Sequence, residues 1–235
     1  MIAVLLFAGL ASANPKKEFA GGPSNGNAAD PSALNQLARL TTTVPRQTTN
    51  TNAAGDPTPT TSKTTPTTTR PGMGDLHALG IGDSVMLGAR SALQQVIPTM
   101  AVDAVKSRQF GEAVNVLGYY RSMHLLPPTI VIHLGTNGRI TPGMFDQAMQ
   151  AIGPGHQIYF LTPRVPRTWE AEDYATIQQG VKRWKGAHML DWHAYSTCHD
   201  DWFVQDGFHL RDPGQRAYAN FIRMGILNEP IKSSC

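Results

Sequence analysis

The run Thr129-Ile130-Val131-Ile132-His133-Leu134 constrains this chain more than any other stretch. Nearly continuous apolar and β-branched side chains leave no face for solvent, which suits a strand covered on both sides, as in a parallel sheet. Four more strands are predicted around it, at residues 76–81, 99–105, 157–161 and 188–192. Helices are expected between them: at about 85–96, around Val114, Leu117 and Tyr120 or Arg121, at 142–152 and at 174–184. Asp212-Pro213, a cap followed by a first-turn proline, opens a closing helix that carries Ala217, Tyr218, Phe221 and Ile222. Strand and helix alternate five times. That implies a three-layer α/β domain with a five-stranded parallel sheet and right-handed crossovers. Such sheets bind ligands at the carboxyl ends of their strands.

Composition divides the 235 residues unevenly. Residues 14–73 are dominated by Thr, Pro, Asn, Gly and Ala, and few large apolar side chains are present to offset the entropy of ordering them. They are expected to form a disordered, solvated linker, with Leu34, Leu37 and Leu40 giving at most a transient turn or two of helix. Residues 1–13 are almost wholly apolar and end in Ala11-Ser12-Ala13. They read as a secretory signal or as the end of a transmembrane helix, and both readings put the rest outside the cytoplasm. Residues 74–235 suit one domain with one core. The formal charge of +3 is mild and no basic run is interleaved with aromatics, so nucleic acid is not an expected partner. Outside the cytoplasm, Cys198 and Cys235 are candidates for a disulfide, with two unpaired thiols as the alternative.

The chemistry-bearing residues follow the strands. Gly82-Asp83-Ser84 comes after the first, Gly135-Thr136-Asn137 after the third, and Asp206-Gly207-Phe208-His209 after the last. Ser84 is a candidate nucleophile, His209 its base, and Asp206 the carboxylate that orients the imidazole. The Ser84 backbone N–H and the Asn137 side-chain amide are candidate oxyanion donors. Each tripeptide alone is a weak signal: Ser84 could simply cap a helix, and Asp206 and His209 could be a structural pair. Their order along the chain and shared position on one rim favour catalysis. Trp169, Trp192 and Trp202 are candidates to stack on a sugar, with packing the simpler reading for Trp192 and Trp202 the best substrate contact. His133, inside a strand, reads as a core histidine. His193 and His199 could line the site. No histidines or cysteines fall at metal-ligand spacing, so neither metal nor cofactor is expected.

These blocks resemble the SGNH (GDSL-type) hydrolase superfamily. More narrowly, Ile81 to Gly88, Ser107-Arg108-Gln109-Phe110, His133 to Gly138, Val165 to Glu170 and Asp201 to Leu210 resemble the extracytoplasmic domain of peptidoglycan O-acetyltransferases. The resemblance implies a flavodoxin-like α/β/α fold and a monomeric catalytic domain. It also implies transfer of an acetyl group to a peptidoglycan sugar hydroxyl, the donor being supplied by a membrane acyltransferase domain. It assigns a third oxyanion N–H to Ser107, where the superfamily usually has glycine; Asp83, Arg108, Gln109 and Trp202 are candidate substrate contacts. A secreted carbohydrate esterase with the same residues is the nearest alternative, and a non-catalytic wall-binding module a further one.

Overall fold

A computed structural model describes residues 26–42 and 76–232. The strands are β1 (Ala78–Gly82), β2 (Met100–Ala104), β3 (Thr129–His133), β4 (Gln157–Leu161) and β5 (Ala187–Leu190). They form one parallel sheet in the order β2-β1-β3-β4-β5. β1, β2 and β3 are buried at every position, as strands sandwiched between helices must be. The helices are α1 (Pro31–Thr42), α2 (Ser84–Gly88), α3 (Arg90–Val96), α4 (Phe110–Ser122), α5 (Pro142–Ile152), α6 (Glu170–Arg183), α7 (Trp192–Ser196) and α8 (Asp212–Ile226).

Two apolar layers hold the sheet. On one face Val85, Met86 and Leu93 from α2 and α3 meet Tyr218, Phe221 and Ile222 of α8, with Trp192 among them. On the other, Phe110, Val116 and Leu117 of α4 pack with Phe145 and Met149 of α5 and Ile177 of α6. The predicted helix at 85–96 is in fact two, broken at Ala89 (φ −90°, ψ 1°), which caps both. Gly82 admits this tight entry: a Cβ there would lie 2.4 Å from the Cβ of Met86. Strand order places the switch point between β1 and β3, and the rim above it is where a ligand site belongs.

One expectation needs correction. Part of the stretch read as linker belongs to the folded unit. Residues 31–42 form α1, and its buried face is Ala33 and Leu37, each 1% exposed, rather than the Leu34-Leu37-Leu40 stripe. The pair is one helical turn apart and joins the α4 layer beside β2. Gln36 Nε2 donates to the carbonyl of Met100, so the helix also covers the edge of the sheet. Few apolar side chains are needed, because the helix completes an existing core. The candidate leader at 1–13, linker positions 14–25 and 43–73, and Cys235 lie outside the described residues. Cys198 itself is disulfide-bonded. Among the described residues no helix is long and apolar enough to cross a membrane.

Candidate active site

β1 ends at Gly82, and Asp83 takes an extended conformation (φ −107°, ψ −151°) that caps α2 by accepting from the backbone N–H of Val85 at 3.0 Å. Because Asp83 is the cap, the Ser84 hydroxyl is left for another partner. That partner is His209, whose Nε2 lies 2.9 Å from Ser84 Oγ. On the other side of the ring, His209 Nδ1 lies 2.7 Å from Asp206 Oδ2. A carboxylate facing Nδ1 fixes the tautomer with hydrogen there, so Nε2 carries the lone pair facing the serine. Both loop side chains are 39% exposed.

The loop is built to hold that pose. Asp206 Oδ1 accepts from the backbone N–H groups of Phe208 and His209, at 3.1 and 3.0 Å. Gly207 supplies the positive φ of 81° needed to turn the chain between the two residues. Val204 N–H donates to the carbonyl of His209, and the bridge between Phe203 and Leu210 anchors both ends in the core. Partial burial pushes the Asp206 carboxyl up. The hydrogen bonds from His209 and the two backbone N–H groups outweigh it and hold the group below the ordinary carboxylate range. It therefore stays ionised at neutral pH, as an imidazole-orienting carboxylate must.

Asn137 follows β3 and its amide sits against Asp83 and the turn that carries Arg108. Nδ2 is 3.0 Å from Thr136 Oγ1, 3.2 Å from Asp83 Oδ2 and 3.5 Å from the carbonyl of Arg108. The contact with Arg108 is too long to be strong, so one N–H can be released towards a developing oxyanion. Thr136 also donates its hydroxyl to Asp83 Oδ2. Sequence reasoning passed over this threonine; its place between the glycine and asparagine of the third block was the available signal.

Ser107 is exposed at φ 62°, in the left-handed region. That geometry explains why glycine suits the position: a side chain there is unfavourable by roughly 1–2 kcal/mol. Arg108 is wholly buried, and all five of its guanidinium N–H groups have acceptors, so it cannot touch a substrate. Asp83, with no exposed surface, cannot either; burial raises its carboxyl against the pull of Thr136 and the Val85 N–H. Both are corrected here from substrate contacts to scaffold. Gln109 is exposed and opens α4, its N–H donating to Glu112 at 2.7 Å. Trp202 is half-buried, stacked on His199 at 3.8 Å and beside Trp192 at 6.0 Å, so its ring faces are largely occupied by protein. Trp192 is a core residue, 1% exposed. Trp169 stands nearer the rim: its Nε1–H donates to the carbonyl of Gly135 at 2.8 Å. His193 lies 3.6 Å from Glu170.

Beneath the rim, His133 Nδ1 pairs with the Tyr218 hydroxyl at 2.9 Å, while Nε2 has no partner. Burial pulls this histidine down to about 3, so it is a neutral core residue. Asp173 of α6 is also buried. Its Oδ1 accepts from the N–H of Ile140 at 2.7 Å, tying the helix to the loop that carries Asn137. Burial pushes its carboxyl up to about 7. Nothing in its sequence position marked it. Among the described residues no group of three or more His, Cys, Asp or Glu side chains is arranged to hold a metal.

Known structures with the same architecture include the C-terminal catalytic domain of the Streptococcus pneumoniae peptidoglycan O-acetyltransferase OatA, solved with a methylsulfonyl adduct. It superposes with a TM-score of 0.57 at 23% identity, over 67% of this chain and 98% of that one. A family 3 carbohydrate esterase from Talaromyces cellulolyticus gives 0.54 at 13% identity, over 65% and 97%. A lipolytic protein of the G-D-S-L family from Veillonella parvula gives 0.52 at 11%, over 63% and 96%.

The domain has the SGNH hydrolase fold.

In sequence, the chain is similar to YrhL of Bacillus subtilis, at 33% identity over 146 residues, covering 62% of this chain and 23% of that protein. It is 29% identical over 142 residues to the peptidoglycan O-acetyltransferase OatA of Listeria monocytogenes, covering 60% and 22%. The Staphylococcus aureus O-acetyltransferase OatA matches at 29% over 143 residues, covering 60% and 24%. The match thus spans less than a quarter of these relatives' length. No family model matches.

Proposed function

We propose that this SGNH domain is an extracytoplasmic serine O-acyltransferase that moves an acetyl group onto a peptidoglycan sugar hydroxyl. The observation that carries the reading is the continuous chain Ser84–His209–Asp206, with contacts of 2.9 and 2.7 Å, beside Asn137 on the rim at the switch point. The similarity to enzymes named as peptidoglycan O-acetyltransferases supports the substrate class.

His209 Nε2 takes the Ser84 proton as Oγ attacks the acetyl carbonyl carbon. The carbonyl π electrons move onto oxygen, where the backbone N–H of Ser84, the Asn137 amide and the N–H of Ser107 stabilise the charge. Collapse restores the carbonyl and expels the donor's leaving group, which receives the proton from His209. The acceptor hydroxyl then gives its proton to His209 and attacks the acyl-serine. The second collapse releases Ser84, which recovers its proton, and leaves the acetyl ester on the sugar. Asp206, still ionised, holds the imidazolium formed in both halves.

With water as acceptor the same residues make an esterase, and the carbohydrate esterase neighbour supports that second reading. The purified chain is to be mixed with an activated acetyl ester, with and without glycan oligomers. Acetylated glycan is the expected product. Free acetate at the same rate regardless of glycan would select hydrolysis. Glycan binding with no acylation of Ser84 would leave a wall-binding module instead. Supply of the acetyl group by a membrane acyltransferase domain is tested by joining the domain to such a partner and following transfer.

A further inference from the structure

We propose that residues 26–42 are a clasp that positions the oxyanion turn Val105–Gln109, and so belong to the working catalytic domain. The inference rests on the acyl-transfer reading above. It comes from the fate of one buried cation. Arg108 has five N–H groups and five acceptors: the carbonyls of Gly26 (3.0 Å), Ala28 (3.1 Å), Gly82 (3.4 Å) and Asp103 (2.8 Å), and Asp103 Oδ1 (2.8 Å). Two of the five belong to the N-terminal segment. The same segment binds the counter-ion, since Asp30 N–H donates to Asp103 Oδ2 at 2.9 Å, beside the Tyr120 hydroxyl at 2.9 Å. Asp30 also pairs with Arg90, the first residue of α3, at 2.5 Å.

The backbone of Arg108 faces the chemistry. Its N–H closes the turn on Val105 at 3.3 Å, and its carbonyl lies 3.5 Å from Asn137 Nδ2. Ser107, immediately before it, stands in the left-handed region, a conformation that persists only where the surroundings over-determine it. With the clasp in place the side chain of Arg108 is fixed at every donor, and the turn with it. If the clasp lifts, two donors of a buried guanidinium and one acceptor site of Asp103 lose their partners together, and water enters beneath the turn. The effect expected is on the transition state, because the N–H groups at this rim act on charge that develops only there.

The test uses the full chain with Leu37→Asp, which puts a charge at the seat of α1 without touching the site, and Leu37→Met as the conservative control. Turnover of an activated acetyl ester should fall about 10-fold or more in kcat, with KM within about twofold, as expected for weakening one oxyanion donor. Circular dichroism should stay that of the folded domain, hydrogen exchange should show residues 31–42 unprotected, and Leu37→Met should restore kcat. An unprotected α1 with unchanged kcat would overturn the proposal. Should Leu37→Asp unfold the domain, Asp30→Ala, which removes the clasp's pair with Arg90, gives the same reading: kcat lost with KM kept supports it, and kcat kept overturns it. If the unaltered chain itself shows no turnover dependent on Ser84, the acyl-transfer reading fails, an outcome distinct from an active chain indifferent to the clasp.

Discussion

The two halves of the site are fixed by opposite means. Asp83, Thr136 and Arg108 are at most 5% exposed and tie β1, β2 and β3 together from inside. Asp206 and His209 are 39% exposed and are ordered almost entirely by hydrogen bonds within their own loop. The proposed oxyanion side thus draws its rigidity from desolvated polar contacts, which are strong while intact and damaging when one partner is lost. The proposed proton-transfer side stays near water, where an imidazole can cycle its charge without a large desolvation penalty. Changes in the exposed half should therefore cost turnover with little stability, whereas changes in the buried half should cost stability as well.

The sharpest break of that contrast lies in the exposed half. His209→Ala should lower acetyl-ester turnover by about 10³-fold or more while shifting the unfolding free energy by less than about 1 kcal/mol, measured by steady-state kinetics and urea melts. Ser84→Ala should behave alike, and a stability loss of several kcal/mol in either would show that the two halves are not separable. Asp206→Asn should lose about 10²–10⁴-fold, through loss of the tautomer-fixing acceptor.

In the buried half stability is lost as well. Arg108→Met leaves Asp103 as an unpaired buried carboxylate and should destabilise by about 3–5 kcal/mol in a denaturant titration. Asp173 gives a pH signature for the same half. Burial pushes its carboxyl up to about 7, against an ordinary 3.8, so the unfolded chain releases this proton first. The folded state is then penalised progressively as pH rises from about 4 to about 7, and no further above that. Asp173→Asn keeps the acceptor for the Ile140 N–H and should flatten this part of the stability–pH curve, read as the difference from the unaltered chain. The smallest effect belongs to Ser107→Gly. Relief of the left-handed strain is offset by glycine's added freedom in the unfolded chain, so stability should rise by no more than about 1 kcal/mol and turnover should stay within about twofold.

The parallel five-stranded sheet was legible in sequence because buried strands write themselves as unbroken apolar runs. Strand ends missed by a residue or two, as at β1, because side-chain patterns do not mark where backbone pairing stops. The rim positions of Ser84, Asn137, Asp206 and His209 were legible because residues that follow strands fall on one edge of a parallel sheet. Asp83 and Arg108 were misread because motif membership does not separate a residue that touches substrate from one that holds its neighbour. Asp173 left no mark, since a buried acid in a helix rich in acids looks like a solvated face. The α1 clasp was taken for linker because two small apolar contacts, Ala33 and Leu37, are enough when the core they join already exists.

Sequence alone determined the layer architecture and picked out Ser84, Asp206 and His209, which the fold brings into hydrogen-bond contact, since local periodicity and spacing carry both. Only the tertiary structure decided which side of Asp83 and Arg108 faces the protein, that Ser107 stands in the left-handed region, and that the N-terminal segment closes over the Arg108–Asp103 pair. The reason is physical: burial and hydrogen-bond completion are properties of residues brought together from distant parts of the chain, and no local pattern records them.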